Sequence, residues 1–73
     1  MNIRFQNYKN RRYYQLYLSQ DLLGDWVLTK SWGAIGTSSG KVTHIRLENY
    51  EKALRQIDVL VKSRKRLGYE HTF

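Results

Sequence analysis

The chain has 73 residues with 13 Lys plus Arg against 6 Asp plus Glu, no Cys and no Pro, which gives a formal net charge of +7 and a pI near 10.0. That length admits one domain, residues 1–73, with a core worth only ~3–5 kcal/mol, and the absence of cysteine excludes a disulfide framework or a thiolate zinc site as reinforcement. Hydrophobic residues at 41% and aromatics at 14% exclude a disordered basic tail. No apolar run approaches the ~20 residues that span a bilayer, and residues 1–5 lack a signal-peptide apolar region, so a soluble cytoplasmic protein is expected.

From Asn2 to Tyr8, Ile3 and Phe5 alternate with Arg4 and Gln6, predicting a strand, with Lys9-Asn10-Arg11 as the following turn. Arg12 to Ser19 repeats the alternation more strongly. Tyr14, Leu16 and Leu18 share the face assigned to the core, and Tyr13, Gln15 and Tyr17 share the other. Asp21-Leu22-Leu23-Gly24-Asp25 reads as a hairpin loop. The next strand sets Trp26, Leu28 and Trp32 on one side with Lys30 between them. A turn-rich connection is expected at Gly33 and over Gly36–Gly40, then a strand over Lys41–Leu47.

Asn49 is a helix N-cap candidate, with Glu48 and Glu51 at the positive end of the dipole. Tyr50, Ala53, Leu54, Ile57, Leu60, Val61 and Leu67 form one stripe of a helix of about five turns, which Gly68 closes. Strands followed by one helix predict an α+β fold: a small antiparallel sheet of three to four strands packed on one C-terminal α-helix.

No catalytic constellation stands out. Gly36-Thr37-Ser38-Ser39-Gly40-Lys41-Val42 falls one residue short of a phosphate-binding P-loop, and Val42 replaces the hydroxyl that such a loop needs for its metal. His44 and His71 lie far apart without cysteine or clustered carboxylates, so neither a metal site nor another cofactor is predicted. The six acids fall mostly at turns and helix ends, and no acid–base pair suggests an enzyme.

The positive charge carries the functional information. Residues 1–20 hold Arg4, Lys9, Arg11 and Arg12 without an acid, and Lys62-Ser63-Arg64-Lys65-Arg66 holds four cations in five positions. Such a balance points to a phosphate backbone more than to a membrane surface, because the helix's apolar face is needed for the core. The plain alternative is a soluble basic surface, and for Lys62–Arg66 a helix end complementing its own dipole.

The segment Ser31-Trp32-Gly33-Ala34-Ile35-Gly36-Thr37 resembles the signature of the WGR domain, which occurs in poly(ADP-ribose) polymerases that respond to DNA damage and in bacterial proteins. Tyr14-Gln15-Leu16-Tyr17-Leu18, Trp26, Ala53 and Gly68-Tyr69 extend the resemblance over most of the chain. It implies a small sheet flanked by a helix that binds nucleic acid, DNA more than RNA, at strand ends and nicks. It also implies that Trp32 packs on a terminal sugar. Ala34 stands where the family places its signature Arg, so that guanidinium is missing. The expected interface is therefore Trp32 as a stacking surface, Gly33 for close approach, and Lys30, Lys41 and Arg12 for phosphates. Trp32 as a core residue beside Trp26 is the structural alternative. A protein-interaction module, docking on an acidic partner or self-associating through Leu22-Leu23, Tyr13 or Tyr17, is the functional one.

Overall fold

In the computed structural model, which describes residues 1–37 and 40–72, the alternating segments form strands β1 (Asn2–Asn7), β2 (Arg12–Gln20), β3 (Trp26–Ala34) and β4 (Lys41–Leu47). Helix α1 (Tyr50–Arg66) and a short strand β5 (Glu70–Thr72) complete the chain. All pairings are antiparallel, in the order β4-β3-β2-β1-β5. The sheet thus has five strands rather than three or four. Strand β5 escapes prediction because three polar residues carry no period-two signal; its pairing with Arg4, Phe5 and Gln6 of β1 is set by the turn before it.

Register decides which side chains meet. The rows Phe5–Tyr14–Trp32–Lys41 and Ile3–Leu16–Lys30–Thr43 lie on the helix side, followed by Leu18–Leu28–Ile45. Phe5, Tyr14, Leu16, Leu18 and Leu28 are buried there against Ala53 and Ile57 of α1, with Trp26, Trp32 and Leu60 packed around them. Tyr50, Leu54 and Leu67, included in the predicted stripe, are largely exposed, because the narrow sheet covers only part of it. No helix among the described residues is long and apolar enough to cross a membrane.

Asn49 caps α1, its side chain accepting from the Lys52 N–H at 2.9 Å. At the other terminus Gly68 adopts φ +92°. The N–H groups of Gly68 and Tyr69 donate to the Lys65 and Arg64 carbonyls at 3.1 and 3.0 Å, a Schellman closure that reverses the chain toward β5. Asn7, only 4% exposed, locks this end to the β1–β2 turn. Its amide donates to the Leu67 carbonyl at 3.2 Å, and its carbonyl accepts from the Asn10 N–H at 3.1 Å. Losing such a buried double contact costs about 1–3 kcal/mol.

The connectivity gives the molecule two unlike ends. At one, the β1–β2 turn, the end of β3, the start of β4 and the C-terminus of α1 come together. At the other lie the β2–β3 hairpin, the end of β4 and the start of α1, where Trp26 meets Tyr50 at 4.9 Å between ring centroids. Arg11, in the β1–β2 turn, has φ +55°, a left-handed conformation costing about 1–2 kcal/mol for a residue with a Cβ.

Candidate nucleic-acid interface

Arg12 and Ala34 are cross-strand partners at the edge of the β2–β3 pair, and Lys41 is the β4 partner of Trp32. This register brings four of the five expected residues to one place. Arg12, Trp32, Gly33 and Lys41, with Ala34 and Gly40, line a cleft of about 290 Å³ at one end of the sheet. Lys30 does not line it. That residue sits two positions back along β3 on the same face, between Leu16 and Thr43, so it stands behind the cleft along the strand.

Trp32 is partly buried and partly exposed. One part packs on the core, 6.5 Å from the Tyr14 ring, while its partly exposed remainder forms a wall of the cleft. The structure corrects the reading of Gly33 as a bend: it lies within β3, buried, opposite Tyr13. A Cβ at position 33 would come within 2.9 Å of the Gly40 Cα and 3.3 Å of the Tyr13 ring. A Cβ at Gly40 would meet the Trp32 carbonyl oxygen at 2.6 Å and collide with the Tyr13 hydroxyl. Both glycines therefore let the chain entering β4 lie close beside Trp32 and over Tyr13. The actual bend falls at Gly36, with φ +84°; the interior of the expected Gly36–Gly40 turn, residues 38–39, lies outside the described residues.

Arg64 is a contributor that composition alone did not single out. Its guanidinium lies 3.9 Å from the centroid of the Tyr14 ring, which also neighbours Trp32, and 5.6 Å from that of Tyr69. Its buried Nε has no hydrogen-bond partner among the described residues. The signal was present in the spacing, since Arg64 follows Ile57 and Val61 at helical intervals and so continues the core stripe. Burial raises the Tyr14 phenol above its ordinary value, partly countered by Arg64, so this ring stays neutral at physiological pH and places no anion beside the cleft.

Ion pairing sharpens the charge distribution. Arg46 bridges Asp21 at 2.9 Å and Asp25 at 3.2 Å, Lys52 meets Glu48 at 2.7 Å, and Lys62 meets Asp58 at 2.9 Å. Arg12, Lys30 and Lys41 have no ion-pair partner among the described residues, so the cleft keeps its positive charge. His44 shares a 2.9 Å hydrogen bond with Thr29 on the open face, and His71 packs on Phe5 at 5.4 Å. Among the described residues no three His, Asp or Glu side chains gather where a metal ion could sit.

One antiparallel sheet carrying a single helix, with a basic, Trp-walled cleft at its end, defines a small α+β domain. The chain matches the WGR domain over residues 1–72 and belongs to that family. No curated protein and no solved structure gives a significant match.

Proposed function

We propose that this WGR domain is a non-catalytic nucleic-acid-binding module that grips the phosphate backbone of DNA, with a preference for ends and nicks and little sequence specificity. The observation that carries the reading is the convergence on either side of Trp32 of Arg12 and Lys41, neither ion-paired among the described residues. Two cations flanking an aromatic wall suit a phosphate next to an exposed sugar or base, the arrangement that a strand terminus offers and a continuous duplex hides. Arg12, directly across from Ala34, supplies a forked donor to the cleft despite the absent signature Arg.

Fluorescence anisotropy with intact duplex, nicked duplex, 5′-phosphorylated blunt duplex and single strands tests this across a salt series. If Arg12, Lys30 and Lys41 each neutralise one phosphate, log affinity falls with log salt at a slope of about −2.7 or steeper. A flat response, or no binding to any form at low salt, contradicts the proposal.

A protein contact at the opposite end is the second reading, favoured by the β2–β3 hairpin. Leu22 and Leu23 are 105% and 85% exposed there. They project from a tip fixed by Asp21, whose carboxylate accepts from the Leu23 and Asp25 N–H groups at 2.9 and 3.0 Å. Rigid exposed apolar pairs of this kind suit a partner's pocket. If the partner is a second copy, sedimentation shows a dimer that L22S/L23S abolishes; a strictly monomeric parent excludes that version.

A further inference from the structure

The Lys62–Arg66 run appeared from sequence to be satisfied by the helix dipole. A C-terminal dipole amounts to about half a unit of negative charge, which a single cation offsets. Arg64, Lys65 and Arg66 exceed that, and none of them has an ion-pair partner among the described residues. The Asn7 contact to the Leu67 carbonyl places the end of α1 at the same end of the fold as the β1–β2 turn, which carries Lys9 and Arg11. Tyr14 links Arg64 to the cleft, its ring lying 3.9 Å from the Arg64 guanidinium and 6.5 Å from the Trp32 ring. Among the described residues the acid near this end is Glu70, on the outermost strand opposite Gln6.

Arg11 adds an independent observation. Its positive φ is one that glycine or asparagine would hold with less strain, yet a fully charged, exposed side chain occupies the position, its backbone carbonyl fixed by the Ile35 N–H at 2.9 Å. The position thus carries a cation where the backbone conformation favours glycine.

We infer that the β1–β2 turn and the C-terminus of α1 form a second phosphate-binding wall, so that one bound duplex is held both at the Trp32 cleft and, through Lys9, Arg11, Lys65 and Arg66, along its flanking backbone. The inference rests on the nucleic-acid reading of the cleft and extends its footprint across the whole basic end. Phosphate is the chemistry these groups fit: five exposed or stacked cations without a carboxylate partner among the described residues, with exposed Tyr8 and Leu67 as the apolar side chains of these two segments.

The test is a salt series with intact duplex on the parent, K65Q/R66Q, R11G, and K52Q/R55Q as a control at the other end, each checked for folding by circular dichroism. K65Q/R66Q is expected to make the slope shallower by about 1.8, so the affinity lost over a roughly fourfold rise in salt shrinks about tenfold, while preference for nicked over intact duplex persists. R11G is expected to bind more weakly yet melt a few degrees higher, opposite signs that a merely structural turn residue would not give. The control keeps the parental slope. If the parent binds duplex and K65Q/R66Q keeps its slope, the second wall is refuted while the cleft stands. An equal change in the control overturns it too, by showing a generic field, as does tighter binding to an acidic peptide than to duplex. A parent that binds no nucleic acid fails the reading of the cleft itself.

Discussion

Leu28→Ala is expected to leave the domain largely unfolded at room temperature. Leu28, the third residue of β3, is 0% exposed between Leu18 and Ile45, with the helix above it. Truncation there removes transfer free energy and opens a cavity that paired strands on both sides cannot close, costing about 2–5 kcal/mol. A one-layer sheet under one helix has only ~3–5 kcal/mol to lose, so the two figures nearly cancel. Urea unfolding followed by far-ultraviolet circular dichroism should show a folded baseline for the parent and almost none for the variant. Val42→Ala, at a position 56% exposed on the open face, should change stability by no more than about 0.5 kcal/mol. A parental midpoint for Leu28→Ala would mean that the core is not where the register puts it.

Trp32→Ala is expected to abolish the preference for nicked and terminal DNA and to weaken binding to those forms by about tenfold to a hundredfold, the 1–3 kcal/mol worth of a stacked base. The chain supplies its own control. Trp26 occupies the same face of the same strand but packs on Tyr50 at the opposite end, 4.9 Å between ring centroids. Both truncations remove a partly buried indole, so both lower stability; only the one at position 32 removes a wall of the cleft. Equal losses of binding from folded Trp26→Ala and Trp32→Ala would show that the effect is stability alone.

Strands β1 to β4 and the helix were legible because each carries its own period. Tyr14, Leu16 and Leu18 alternate, Ala53 and Ile57 repeat at helical spacing, and Asn49 and Gly68 mark the ends of the helix. Strand β5 was not legible, since the Schellman turn and an open edge on β1 create it rather than its own residues. The same division holds at the cleft. Trp32 could be chosen from its surroundings in sequence, and Lys30, Lys41 and Arg12 from charge, yet which of them share a space with Trp32 depends on cross-strand register. Register places Arg12 opposite Ala34 and Lys41 opposite Trp32, and leaves Lys30 outside the lining. Gly33 is expected from sequence to permit a bend or the close approach of a ligand, whereas the fold uses its small size for contacts within the chain, beneath Tyr13 and beside Gly40. Nor could the basic segments around residues 9–12 and 64–66 be seen as neighbours. A buried Asn7 reaching across the fold to Leu67 joins them, and no local pattern announces such a contact.

The most direct test of the Trp32 cleft as the docking site is a two-dimensional NMR titration of the labelled domain with a short 5′-phosphorylated duplex. The largest shifts are expected at the Trp32 indole N–H and at the backbone amides of Arg12, Ala34 and Lys41, with the Trp26 indole unmoved. Shifts concentrated at Leu22 and Leu23, or none at the cleft while the duplex binds, would contradict it.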